Sequence, residues 1–127
     1  MDERSALITL GGEDYELVLT TRATKEIAKR YGGLDTLGEQ LMQSDDVATA
    51  LDEIVWLITL LANQSRMLHN LKNPKDQKPL LTEEMVELLT TPSDFVEYRE
   101  AITLAMNRGT KRNVESEDDP QKNAQSE

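Results

Sequence analysis

Paired carboxylates are the side chains in this sequence that come nearest to a catalytic or metal-binding pattern. Glu83 with Glu87, and Glu97 with Glu100, are spaced so that each pair would share one face of a helix. A di-iron site built on such pairs also requires a histidine three residues after a glutamate on two helices, and no glutamate here is followed in that way. The pairs are therefore interpreted as solvated helix faces.

Nucleophilic and cofactor chemistry finds few residues to use. His69 is the only histidine and cysteine is absent, so the serines have a single candidate base and thiolate sites are excluded. The glycine pairs at 11–12 and 32–33 lack the context of a phosphate-binding loop and suit a turn and a helix stop. We predict a protein that is not an enzyme and that uses no cofactor or metal.

The charge balance disfavours ordinary nucleic-acid binding. The net charge of −10 repels a phosphate backbone, and the excess is not confined to one end, since the first 109 residues hold 19 acidic and 11 basic side chains. No run of about 18 to 20 apolar residues predicts a membrane span, and residues 1–4 begin no signal peptide. We expect a cytoplasmic protein without nucleic-acid or membrane partners.

A β-hairpin is predicted at the start of the chain. Two short β-prone runs, 6–10 and 15–19, are separated by Gly11, Gly12 and two acidic residues, which suit a tight turn. A lone hairpin is marginal in water, so it must pack on helices or pair with another strand. Its open edges could recruit a second chain.

About five helices should follow the hairpin. The first is capped by Thr20 or Thr21 and ends at Gly32-Gly33, the second covers 35–43, and the third and longest covers about 46–71. A short fourth helix, 83–89, and a fifth that starts after Thr91 and ends at Gly109 complete the set. The fold class is mainly α: a hairpin, then helices around a long central helix.

The long helix offers the best candidates for a partner-binding surface. Its centre, residues 54–62, is apolar almost all round, which is typical of a buried core helix or a self-association surface, and its end is amphipathic. Burial in the core is the simpler interpretation, above all for the tryptophan. Six residues are tentative partner contacts: Trp56, Leu60, Met67, Leu68, Leu71 and Tyr98.

Residues 110–127 are predicted to form a disordered acidic tail. They contain only Val114 and Ala124 as aliphatic residues, too few to offset the entropy of ordering. The predicted organisation is a helical domain with its hairpin over residues 1–109, and the tail after it.

The order of these segments resembles a known family. The stretch 17–27, its continuation Tyr31-Gly32-Gly33-Leu34, the apolar core helix, and the later segments 81–86 and 100–106 are similar to the tail assembly chaperones of long-tailed phages and prophages of Gram-positive bacteria. The resemblance covers about residues 5–109. It implies a helper in the host cytoplasm that binds and solubilises the tape measure protein and is absent from the mature virion. Further partners left open are the major tail tube protein and a second copy of the chain.

Two other functions fit the same composition. One is a structural head-tail connector or minor tail protein, which can also be small, helical and acidic. The other is an acidic DNA mimic or regulator that binds a basic protein, although the acidic residues are not spaced like phosphates.

Overall fold

The computed structural model describes residues 4–34, 36–37 and 46–118, with side chains as far as Thr110. A two-stranded hairpin is followed by helices, and the chain is mainly helical, as predicted. The elements, in chain order, are β1 (Ala6–Leu10), β2 (Glu13–Leu17), α1 (Thr21–Tyr31), α2 (Val47–Lys72), α3 (Glu83–Leu89), a 3-10 turn (Pro92–Asp94) and α4 (Phe95–Asp118).

Four α-helices lie in the part of the chain that the structure describes, and not about five. The prediction of a helix over 35–43 falls mostly outside the described residues. Leu37, at its start, is fully buried. The prediction of a disordered tail is wrong for residues 110–118, which continue the last helix, and residues 119–127 lie outside the described residues.

The hairpin turns more tightly than predicted. Gly11 and Gly12 alone form the turn, with φ angles of 58° and 84°, and Leu10 pairs with Glu13 in antiparallel register. The second strand therefore begins at Glu13 and ends at Leu17, two residues earlier than the predicted run 15–19. The amide of Val18 leaves the sheet and donates to the carbonyl of Leu61 on α2, at 3.1 Å.

Thr20 links the start of α1 to the long helix. Its hydroxyl accepts a hydrogen bond from the amide of Ala23 at 3.0 Å, which is the predicted N-cap. The same hydroxyl donates to Oε1 of Gln64 at 2.6 Å, so the polar side chain of Gln64 is satisfied although it is buried. Gly32, in the left-handed conformation, ends the helix as predicted.

The central helix α2 is the core of the fold. Its apolar centre is buried beneath β2, α1, α3 and α4. By length and composition α2 could also span a membrane, with a mean hydropathy of 1.2 over its most apolar stretch, but a soluble core helix meets the same criterion. Six of its apolar residues are less than 5 % exposed: Ile54, Val55, Leu57, Ile58, Leu61 and Ala62.

The last helix does not end at Gly109, which was the predicted stop. Gly109 lies inside α4, which continues to Asp118, and it is not among the glycines with positive φ. A Cβ at this position would lie 2.9 Å from Cβ of Leu19, closer than side chains normally approach. Glycine is therefore required here by the contact between α4 and the segment after β2, and the general association of glycine with helix ends was misleading.

Replacing Gly109 by alanine should destabilise the protein. Overpacking against Leu19 costs about 1 to 3 kcal/mol, which should exceed the gain of about 1 kcal/mol in helix propensity. We expect the free energy of unfolding, measured by urea denaturation, to fall by about 1 kcal/mol. The matched change Thr110→Ala, at the exposed neighbouring position, should cause no loss. A Gly109→Ala variant more stable than wild type would show that the contact with Leu19 is not restrictive.

Candidate partner-binding surface

Trp56 is partly buried against the core, and an arginine covers its indole ring. The guanidinium of Arg30 lies 4.4 Å from the centroid of the indole ring, and Tyr31 meets the same ring edge to face at 5.9 Å. Arg30 is held in place by Glu53, at 2.8 Å, and by a hydrogen bond from its Nε to the hydroxyl of Tyr31. Trp56 is thus one layer of a stack, with only part of its surface open.

The other predicted contact residues are not brought together. Tyr98 is buried, with its ring edge to face against Phe95, and Leu60 is partly buried against the core. Met67 and Leu68 are half-buried, and Sδ of Met67 accepts a weak hydrogen bond from Arg22 at 3.7 Å. Only Leu71 is strongly exposed, at 79 %.

Two asparagine side chains of α2 hold the connection that follows this helix, through hydrogen bonds to the main chain of the connection. Asn63 donates to the carbonyl of Leu81 at 2.9 Å and accepts from its amide at 2.8 Å. Asn70, two turns further along, makes the same pair of bonds to Lys78, at 3.0 and 2.7 Å. We call these two residues the asparagine clamp. The connection is therefore held along the helix.

His69 has a local role in the same connection. Its Nε2 lies 2.9 Å from the carbonyl oxygen of Asp76 and 3.2 Å from that residue's carboxylate. Within the described residues, no group of three or more histidine and acidic side chains is arranged to hold a metal ion. The histidine helps to close the connection onto the end of α2.

Helix α3, which follows the clamped connection, has an exposed apolar face. Val86 is fully buried, whereas Met85, Leu88 and Leu89, spaced at i, i+3 and i+4, are exposed. Leu88 is 78 % exposed. We call these three residues the α3 patch. The sequence shows four apolar residues in a seven-residue helix, more than a single contact face can bury, and this signal identifies the surface.

Two clefts flank α3. One, of about 390 Å³, separates β1 and its turn from the start of α4, and Leu89 forms part of its wall. The other, of about 270 Å³, lies between the beginning of α2 and the junction of α3 with α4, where Glu87 contributes. Leu89 of the α3 patch therefore borders the first cleft, and Glu87 of the same helix borders the second.

No protein-family model, curated protein or solved structure matches this chain.

Removing the first half of the asparagine clamp should release the connection. In Asn63→Ala the main-chain groups of Leu81 lose both partners, so we expect faster amide hydrogen exchange at residues 80–81 and faster tryptic cleavage after Lys75. Asn107→Ala, an exposed asparagine on α4, is the matched control and should leave both rates unchanged. Equal cleavage rates in the two variants would mean that the clamp does not restrain the segment.

The buried phenol of Tyr31 should make the protein sensitive to alkali. Burial, and then the hydrogen bond and charge of Glu53, raise the pKa of Tyr31 far above its ordinary value of 10.0. Above about pH 10 the unfolded chain ionises while the folded chain stays neutral, so stability is complete below pH 10 and falls as the pH rises further. Tyr31→Phe should lose stability less steeply than wild type in urea titrations between pH 9 and about 11. If wild type and Tyr31→Phe lost stability equally steeply with pH, this role of Tyr31 would be contradicted.

Proposed function

We propose that this protein is a tail assembly chaperone of a long-tailed phage or prophage, and that it binds and solubilises the tape measure protein in the host cytoplasm. The resemblance over residues 5–109 is one support. In this proposal the protein leaves before the virion is complete, with the major tail tube protein as a further partner and self-association as a further property.

The observation that carries the proposal is the α3 patch. Monomeric soluble proteins rarely expose adjacent large apolar side chains unless the surface is used for binding. The patch has the spacing with which one helix packs its apolar stripe on another. A long helical client with repeated apolar stripes is the class of partner that such a surface fits, and methionine adapts to varied contacts.

The acidic surroundings of the patch support the same function. Glu83, Glu84 and Glu87 are exposed on the same helix, so apolar contact would occur beside a strongly negative rim. Several copies of a chain with net charge −10 would cover a client with charge of one sign, and mutual repulsion between such complexes opposes aggregation.

The two alternative functions predict different behaviour. A head-tail connector or minor tail protein would persist in purified particles, which a chaperone would not. A DNA mimic would bind a basic DNA-binding protein with an affinity that falls steeply with salt, whereas apolar contact through the α3 patch depends little on salt.

The direct test is co-expression with the tape measure protein encoded in the same genome. We expect the client to become soluble and to copurify with several copies of this chain. Leu88→Glu should lower the recovered soluble client by about tenfold or more, because a contact that buries a leucine would instead require burial of a charge. Helicity, measured by circular dichroism, should not change, since the side chain is exposed.

Leu71→Glu is the matched comparison for this variant. Leu71 has nearly the same exposure, 79 %, but lies at the end of α2, where the sequence placed the contact. Loss of client with Leu88→Glu alone assigns binding to the α3 patch. Loss with Leu71→Glu alone assigns it to the end of α2. If wild type leaves the client insoluble and elutes alone, the chaperone function is wrong.

A further inference from the structure

Strand β1 has one edge that pairs with no other strand. The two-stranded sheet has the order β1-β2, and the two-residue turn makes Leu10 and Glu13 a hydrogen-bonded pair. The same alternation pairs Ile8 with Tyr15, so the amides and carbonyls of Leu7 and Thr9 point away from β2. Among the described residues, these four main-chain groups have no hydrogen-bond partner.

This edge borders the larger cleft. The cleft of about 390 Å³ is lined on one side by residues of β1, including Leu7 and Thr9, and on the other by Glu97 and Tyr98 at the start of α4. Leu7 is 52 % exposed and Leu89, at the end of α3, is 37 % exposed, so the cleft offers apolar contacts beside the free main-chain groups. An extended chain needs both features: a hydrogen-bonding edge and places for alternate side chains.

We propose that the edge of β1 binds an extended, basic segment of a partner protein, which adds to the hairpin as a third strand. This binding mode differs from the proposed chaperone function because it uses main-chain hydrogen bonds along β1. Leu89 of the α3 patch also lines the cleft, so the variants that test strand addition lie outside that patch.

The charges of the cleft specify the chemistry of the partner. The charged residues in its wall are Asp94 and Glu97, both acidic. One carboxylate oxygen of Asp94 accepts hydrogen bonds from Thr91 and Tyr98, whereas Glu97 has no hydrogen-bond or ion-pair partner among the described residues. Burial, and then the charges of Asp94 and Glu97, raise the pKa of Tyr98. Lysine or arginine in the added strand would pair with these carboxylates.

A second copy of this chain is a less suitable occupant of the same edge. Pairing two β1 strands would bring two molecules of net charge −10 together, with the acidic cleft of each against the other. The negative field attracts a basic segment, whereas it repels a second copy of the chain.

The probe for this site is a short capped peptide of alternating lysine and valine, with the same peptide containing glutamate in place of lysine as its counterpart. Binding to the full chain is measured by calorimetry, and amide hydrogen exchange is followed by NMR. We expect only the lysine peptide to bind, and to slow exchange at Leu7 and Thr9. Ile8, whose amide already bonds across the hairpin, should change little.

Glu97→Lys should weaken binding of the lysine peptide by about five- to tenfold and strengthen that of the glutamate peptide, as expected for reversal of a charge at a contact. Glu100→Lys, the same change at an exposed position outside the cleft, should alter both affinities by less than about twofold. Equal effects of the two variants would show attraction by net charge alone and would overturn the proposal.

A backbone variant separates strand addition from side-chain attraction. Thr9→Pro removes an amide on the free edge and no main-chain hydrogen bond to β2. It does remove the exposed hydrogen bond from the Thr9 hydroxyl to Asp14, so slow exchange at Ile8 is the check that the hairpin persists. Binding should fall by about tenfold. Unchanged binding, no binding of the lysine peptide to wild type, or a concentration-dependent dimer that Thr9→Pro dissociates would each overturn the proposal, the last by assigning the edge to a second copy.

Discussion

The apolar centre of α2 is the constraint that organises this protein. Residues 54–62 leave almost no polar face, so the helix must be covered on several sides at once. A hairpin of two five-residue strands is too small to do so, and α1, α3 and α4 complete the cover. Polar groups of α2 also anchor the surrounding segments. Gln64 accepts a hydrogen bond from the hydroxyl of Thr20, the cap of α1, and Asn63 accepts one from the amide of Leu81, before α3. The carbonyl of Leu61 accepts one from the amide of Val18, just after β2.

Features that depend on neighbours in the chain were predictable. The two glycines and the alternating runs indicated a hairpin, and the apolar run was correctly interpreted as core. Thr20 was one of two predicted caps of α1, and Gly32-Gly33 was its predicted end. Features that depend on distant contacts were not. Gly109 has the local character of a helix stop, and only the approach of Leu19 explains why it lies within α4. In the asparagine clamp, Asn63 bonds to a residue eighteen positions away and Asn70 to one eight positions away, which no periodic pattern indicates.

The same distinction applies to the candidate surface. Residue type made Trp56 and Tyr98 tentative contacts, with burial in the core as the simpler interpretation for the tryptophan. In the structure the indole is stacked beneath Arg30 and the phenol is buried against Phe95. Exposure depends on which side of each helix meets α2, and a sequence gives the apolar side without giving the number of neighbours that will cover it. In α3 only Val86 is fully covered, so the remaining apolar residues form the exposed face.

The asparagine clamp forms hydrogen bonds with main-chain groups of the connection and not with its side chains. Any residue except proline offers the amide and carbonyl that Asn63 and Asn70 bind, so positions 78 and 81 can vary in type without loss of these bonds, within the limits that burial of Leu81 sets. Asn63 and Asn70 cannot vary in the same way, because few side chains combine a donor and an acceptor at that reach. Across related sequences, we therefore expect the two asparagines to be conserved while the residue types of the exposed connection vary. The position of α3 relative to α2 would then stay the same.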